Sequence, residues 1–224
     1  MIVDTRSCRS TEADDLPRRD RAKRIGAALR RHAQALAIGL ATLPAVALAL
    51  RFALHGPGAN PIEEITHVTG EWGLRLVLAS LAITPARRWL GWRAVAPLRR
   101  TLGLAAFAYA ALHLATWALL DHALDGAAIA EDLTERPWVM VGMASFVLLA
   151  ALAVTSTRGS IRRLGAARWT ALHRAVYAAA ALAVVHHFWL LKADLRPAIV
   201  HAGILAVLLG ARLAWRLRAA RRSS

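Results

Sequence analysis

The chain has 224 residues, of which 57% are hydrophobic, with a mean hydropathy of +0.41 and a formal charge of +15. The apolar residues form successive runs near the length of a membrane span, which argues against a soluble domain, and the basic residues cluster between those runs, which argues against a nucleic-acid-binding face. The single cysteine, Cys8, excludes an intramolecular disulfide and Cys-ligated iron–sulfur or zinc sites.

The first 31 residues (1–31) mix charged and small polar side chains, a composition typical of a mobile tail. They contain no apolar stretch long enough for a signal peptide, so we expect the first hydrophobic segment to act as its own insertion signal and to stay in the protein. Residues 217–224 form a second, basic tail. The sequence thus predicts one domain, residues 32–216, between two polar ends.

Apolar segments of the length of a transmembrane helix recur along this domain. A helix needs about 20 mostly apolar residues to cross a bilayer. Six segments approach or reach that length: 33–50, 72–89, 101–120, 137–157, 171–191 and 197–215. The second is the weakest because it contains Arg75 near one end. The pattern predicts an all-α protein, a polytopic six-helix transmembrane bundle.

The charges between these segments test the topology independently. The N-terminal tail and every second connection are rich in arginine, whereas residues 55–71 contain no Lys or Arg and residues 121–136 contain one Arg against five acidic residues. Because cytoplasmic loops carry the excess of Lys and Arg, this alternation predicts that both termini are cytoplasmic. Tryptophans near the segment ends agree, since Trp favours the membrane interface.

Histidines at membrane depth are the candidate functional residues, because a polar side chain in hydrocarbon is costly and needs a partner. His113 lies about 18 Å into the third segment, and His186 and His187 reach a similar depth in the fifth, which runs in the same direction. Two facing imidazoles on separate helices can bind the iron of a b-type haem. The alternative is that these histidines form helix–helix hydrogen bonds or relay protons.

The spacing within the fifth segment leaves the choice of ligand open. His173 lies near its start, about 20 Å from His186 along an ideal helix, which suits two stacked cofactors. On that helix the two side chains are about 140° apart in rotation, whereas His187 is only about 40° from His173. Either His187 is the ligand, or the segment is irregular, or His173 and His186 serve different neighbours.

Several short motifs then suggest a family. They are HVTGE (67–71), LAITPARR (81–88), RRTLGL (99–104), YAALH (109–113), RPW (136–138), AVTST (153–157), WTALHRAVY (169–177) and, beside His186, FWLLK (188–192). In order and spacing this set resembles the ferric-reductase-like transmembrane family, and within it the haem-binding membrane subunits of bacterial methionine-sulfoxide reductase systems. The resemblance covers about residues 60–215.

The resemblance implies a multi-pass cytochrome b of the bacterial inner membrane, with one haem b or two and with FMN. Such a subunit takes electrons from the quinone pool or a cytoplasmic flavin reductase. It delivers them to a periplasmic molybdopterin-containing catalytic subunit that repairs oxidised methionines in proteins. It transfers electrons without a substrate site of its own, and its surroundings are the lipid bilayer and these partners, not nucleic acid.

The resemblance also implies site residues. His113, His186 and His173 are the expected axial ligands of haem iron, with His187 as the alternative to His186. Related ferric reductases carry a second histidine on the third helix, but Arg99 occupies that position here. His173 therefore has no obvious histidine partner for a second haem.

The function of the chain is left with three possibilities. It is the subunit described, a cytochrome b with another acceptor such as ferric iron, or a haem-free transporter or scaffold.

The roles of three further residues are also open. Arg75 pairs either with Glu71, four residues earlier on the same helix face, or with a haem propionate; we expect the first. His67 and His201 lie near outer segment ends, where we expect solvation at the interface or contact with a quinone or partner.

Overall fold

A computed structural model describes residues 6–91, 95–191 and 194–222, with side chains except those of residues 6–20, 22, 23 and 90. Lys192 of the last sequence motif lies outside the described residues, and the side chain of Cys8 is likewise not described. Within these ranges the chain is helical and contains no β-strand. The prediction of an all-α protein is therefore confirmed.

The helices follow one another with short connections. In chain order they are α1 Arg6–His55, α2 Pro61–Leu90, α3 Leu98–Ala115, α4 Gly126–Glu135, α5 Pro137–Val154, α6 Arg158–Leu164, α7 Ala166–Leu172, α8 Val176–Leu190 and α9 Arg196–Ala220. A π-helical turn, Thr116–Asp121, extends α3, and a 3₁₀ turn, His173–Ala175, joins α7 to α8. The described parts of both predicted tails continue as helix, from Arg6 into the first segment and from the last segment to Ala220.

Among the described residues, four helical segments are long and apolar enough to cross a membrane: Arg24–His55, Leu98–Asp121, Pro137–Val154 and Arg196–Ala220. They correspond to the first, third, fourth and sixth predicted segments. The second predicted segment lies in α2, which is 30 residues long but carries charged residues such as Glu71 and Arg75 along its length. The fifth is divided by the 3₁₀ turn, so that α8 has only 15 residues. The chain is a helical membrane protein.

Two antiparallel helix pairs form the centre of the bundle. The start of α2 lies beside the end of α3, and the hydroxyl of Ser80 near the other end of α2 donates to the carbonyl of Arg99 at 2.9 Å. In the same way α5 pairs with α8, where the hydroxyl of Ser145 donates to the carbonyl of Ala179 at 2.9 Å. Both bonds satisfy hydroxyls inside an apolar bundle and fix the register of each pair.

The outer helices α1 and α9 pack against this centre. The hydroxyl of Tyr109 on α3 donates to the carbonyl of Ala41 at 2.7 Å and accepts from the amide of Ala45 at 3.2 Å. At the opposite side, the rings of Trp89 near the end of α2 and Trp215 near the end of α9 are 5.7 Å apart. Helices α2 and α9 therefore end on the same side of the bundle and run in the same direction.

Small side chains allow the close helix contacts of the core. Leu81, Ala106 and Ala180 are completely buried, and alanines are frequent among their neighbours. Large apolar side chains instead cover the outside of the bundle, for example Leu40, Leu43, Val147, Val207 and Leu213. A helix bundle with small residues inside and bulky apolar residues outside suits a lipid environment.

Candidate functional site

His113 on α3 lies against the backbone of α2. Its Nδ1 is 2.9 Å from the carbonyl oxygen of Thr66. Because a carbonyl oxygen can only accept, Nδ1 carries the proton and donates, and Nε2 keeps its lone pair. A hydrogen bond of this kind fixes the tautomer and the ring orientation of a histidine that binds a metal through its other nitrogen.

His186 on α8 has the same arrangement against α5. Its Nδ1 is 2.7 Å from the carbonyl oxygen of Trp138, so it too donates from Nδ1 and keeps a lone pair on Nε2. The two helix pairs therefore repeat one local design. In each pair, a histidine near the end of one helix bonds to a carbonyl near the start of the antiparallel helix.

A glycine makes room for each imidazole. Gly70 follows Thr66 by one helical turn, and Gly142 follows Trp138 by one turn. A Cβ atom at Gly70 would lie 2.9 Å from Nδ1 of His113, and a Cβ atom at Gly142 would lie 2.8 Å from Nδ1 and from Cε1 of His186. Both contacts are shorter than carbon or nitrogen atoms tolerate, so only glycine lets the rings lie flat against these helices.

Sequence reasoning missed both glycines. Both glycines lie inside helical segments, where a glycine destabilises the helix by about 1 kcal/mol relative to alanine. A glycine at such a position suggests that close packing or function requires it, and this was the available signal. A histidine at matching depth on a neighbouring helix would have supplied that reason.

The two rings face the same space. The ring centroids of His113 and His186 are 6.1 Å apart, and the ring planes are at 83° to each other. Two imidazoles that bind one metal ion from opposite sides, through metal–nitrogen bonds of about 2 Å, have centroids about 6 Å apart. The observed separation fits one shared iron.

These rings lie on the wall of a large cavity between the helix pairs. Its volume is about 660 Å³, within the usual range for small-molecule and cofactor sites. Its inner walls are apolar, with Phe146, Leu149 and Ala183 among the lining residues, whereas most of the charged lining residues lie near helix ends. The cavity thus suits a flat apolar molecule with a polar edge.

The histidine pair alone cannot complete the coordination shell of a metal. Within the described ranges, no group of three or more His, Cys, Asp or Glu side chains could hold a metal ion. A metal between His113 and His186 would need further ligands from a bound molecule, and the four in-plane nitrogens of a macrocycle are one such set. Two opposed imidazoles, glycine-lined helices and an apolar cavity together fit haem.

His173 lies elsewhere. It belongs to the 3₁₀ turn before α8, where its Nε2 is 3.2 Å from the hydroxyl of Thr155 and its ring stacks on Trp169 with centroids 3.9 Å apart. It does not line the cavity of His113 and His186. The fifth predicted segment is thus irregular, and its histidines at positions 173 and 186 have different neighbours, two of the alternatives that the sequence left open.

His187 lines the same cavity as His113 and His186, but its ring also contacts a histidine of α9. Its ring is 5.3 Å from that of His201 on α9, and no hydrogen-bond partner is described for Nε2 of His187 or Nδ1 of His201, both of which are buried. His201 is only 6% exposed, so the expectation that it is solvated at the interface was wrong. His67, in contrast, is largely exposed, and its Nε2 lies 3.8 Å from Oε1 of Glu63.

A second cavity of about 550 Å³ lies between α2 and α9, with His201 on its wall. The carboxylate of Glu71 and the guanidinium of Arg75 form an ion pair at this cavity. The expectation that Arg75 pairs with Glu71 is therefore confirmed. Arg75 does not line the larger cavity.

Comparison with known proteins gives consistent matches. The family described as "Ferric reductase like transmembrane component" matches residues 69–184. A relative from Rhodospirillum rubrum is 52% identical over 171 residues, which cover 76% of this chain and 82% of the relative. Relatives from Ralstonia nicotianae and Caulobacter vibrioides are 42% and 45% identical, over 83% and 75% of this chain and 86% and 78% of their own lengths. All three are named protein-methionine-sulfoxide reductase heme-binding subunit MsrQ.

Proposed function

This chain belongs to the ferric reductase-like transmembrane family and, within it, to the MsrQ family, and from this premise we propose that it is the haem b subunit that supplies electrons to a methionine-sulfoxide reductase. One observation carries the proposal. His113 and His186 face each other at 6.1 Å, each with Nδ1 on a helix carbonyl and Nε2 available to a metal. We assign them as the two axial ligands.

The residues around the ligands define what the protein contributes. The carbonyls of Thr66 and Trp138 hold the imidazoles in the tautomer that binds metal and raise their basicity as ligands. Gly70 and Gly142 allow the imidazole rings to lie directly against α2 and α5, so that the space between the two rings stays free. When bound, haem supplies one-electron chemistry at its iron, and the protein sets its position and surroundings.

His187 and His173 are not needed at this iron. The ring of His187 is turned toward His201, which supports His186 as the ligand. His173 lies outside the cavity, so its predicted role as an axial ligand would belong to a second haem near the other end of α8.

We further propose that the bundle crosses the bacterial inner membrane six times with both termini in the cytoplasm. The antiparallel pairs α2–α3 and α5–α8 support this, since α2 and the α7–α8 segment complete the alternation between the four apolar helices. Arg88 lies 4.7 Å from the ring of Trp215. This basic, aromatic end suits the cytoplasmic interface.

The partners follow from the family. The relatives' names connect them to methionine-sulfoxide reductase, and we propose a periplasmic molybdopterin-containing catalytic subunit as electron acceptor. The quinone pool or a cytoplasmic flavin reductase is the proposed donor, with FMN as a further cofactor. The acidic outer segment 121–136 offers a surface to the acceptor.

Spectroscopy of the purified protein tests the ligand assignment. We expect a Soret band that shifts on reduction with dithionite. His113→Ala and His186→Ala should each lose most of the haem measured as pyridine haemochrome, whereas the control His187→Ala should keep it. Absence of haem from the wild-type protein, or loss on His187→Ala with full retention on His186→Ala, would overturn the assignment.

A further inference from the structure

A hydrogen-bonded cluster around Asp132 of α4 borders the large cavity at its polar edge. Asp132 is only 7% exposed. Its carboxylate accepts from Nε1 of Trp117 at 3.3 Å, from Nε2 of His122 at 3.0 Å and from Nη1 of Arg136 at 3.4 Å. Three donors on one buried carboxylate fasten the outer segment 121–136 to the end of α3.

Arg136 is the cation of this cluster and also lines the cavity. A guanidinium has five N–H donors. Asp132 accepts one of those on Nη1 at 3.4 Å and forms an ion pair with Nε at 3.1 Å, which leaves at least three N–H groups for another acceptor. The side chain is 54% exposed, so these groups are accessible.

No other Lys or Arg lines this cavity in the part of the chain that the structure describes. The other charged lining residues are acidic: Glu63, Glu71, Asp121 and Asp132. A ligand that carries carboxylates at its polar edge would be repelled along most of this rim. Among the described lining residues, Arg136 is the one position where a carboxylate finds opposite charge and spare donors.

Arg136 is also fixed relative to the proposed ligand. It directly precedes α5, and the carbonyl that accepts from His186 belongs to Trp138, two residues further on. The same short stretch of backbone therefore sets the position of one axial imidazole and of the cation at the cavity edge.

From this arrangement we propose that Arg136, held in place by Asp132, binds a propionate carboxylate of the haem through its free guanidinium N–H groups; this rests on the proposed function. Arginine–carboxylate pairs are among the stronger hydrogen-bonded pairs because two parallel N–H groups engage two oxygens. The positive charge also disfavours the oxidised, more positive iron, so its removal lowers the midpoint potential of the haem.

Esterified haem separates this contact from haem binding in general. The haem-free wild-type protein is reconstituted in detergent with haem b and with haem b dimethyl ester, which has no carboxylates. We expect the wild type to bind the ester about tenfold more weakly, the loss of one charge-assisted hydrogen-bonded pair. Arg136→Gln should lose this preference for haem b over the ester and show a lower midpoint potential with haem b.

The control is Arg75→Gln, the same substitution at an arginine that pairs with Glu71 and does not itself line the larger cavity. This variant should keep the wild-type preference for haem b. Equal preference in the wild type and Arg136→Gln overturns the propionate contact, whereas failure of the wild type to bind haem b refutes the proposed function instead. If Arg136→Gln does not assemble, Arg136→Lys decides, since an ammonium cannot form the bidentate pair and an unchanged preference overturns the proposal.

Discussion

Gly142→Ala tests the glycine contact that positions His186. The new Cβ would lie 2.8 Å from both Nδ1 and Cε1 of the imidazole, whereas non-bonded carbon atoms prefer about 3.5 Å or more. The ring must therefore shift by roughly 0.7 Å, away from the carbonyl of Trp138 that now accepts at 2.7 Å. Overpacking of this kind costs about 1–3 kcal/mol, which corresponds to roughly 5- to 150-fold in haem affinity.

The assay is the haem-to-protein ratio of purified variants, measured as pyridine haemochrome after washing in detergent. Gly210→Ala is the matched control, because a Cβ atom at this α9 glycine meets nothing within 4 Å. Alanine is also the better helix former, so the control should fold and retain haem at the wild-type level. Full haem content and an unchanged spectrum in Gly142→Ala would refute the reasoning about this contact.

Three further outcomes are expected. Gly70→Ala should lower the haem content in the same way, since its Cβ would lie 2.9 Å from His113; wild-type content would contradict the close approach. Tyr109→Phe should remove the hydrogen bonds to α1 and cost about 1 kcal/mol, seen as a thermal midpoint about 2–4 °C lower with haem content unchanged. Asp132→Asn should destabilise the segment 121–136 by about 1–3 kcal/mol and so lower the thermal midpoint. The control Glu131→Gln, at an exposed position of the same helix, should leave the thermal midpoint unchanged. Equal thermal midpoints for the two variants would argue against a structural role of the Asp132 cluster.

Much of the helical architecture could be predicted from the sequence because apolar length is a direct physical requirement of the bilayer. Pro137 opens both the fourth predicted segment and α5, as expected for proline in the first turn of a helix. The second and fifth segments were harder. Arg75 and Glu71 satisfy each other as an ion pair on α2, so the charges in this part of the chain did not prevent helix formation.

The position of the site histidines along the helices could be predicted from the sequence, but the direction of their side chains around the helix axis could not. The rise per residue correctly placed His113 and His186 at one level, because it depends only on counting. An ideal helix through His173 favoured His187 as the ligand. The 3₁₀ turn at His173–Ala175 changes that rotation, and tertiary hydrogen bonds such as that of Thr155 to His173 produce such a turn without a sequence signal.

The contacts that complete the site come from pairs of residues far apart in the chain. The approach of His186 to Gly142, and of His113 to Gly70, depends on how two helices pack, which no local pattern reports. The same holds for the bond between Tyr109 and Ala41. A single sequence therefore indicates which residue types are costly at a given depth, while the fold decides which of them meet.

Electron paramagnetic resonance of the oxidised protein tests most directly whether His113 and His186 share one iron. Imidazole planes at 83° to each other leave the iron d orbitals nearly degenerate, so a low-spin spectrum with one very large g value is expected. That signal should disappear in His113→Ala and in His186→Ala and persist in His187→Ala. A high-spin spectrum of the wild-type protein, or a low-spin signal unchanged in both ligand variants, would contradict the account.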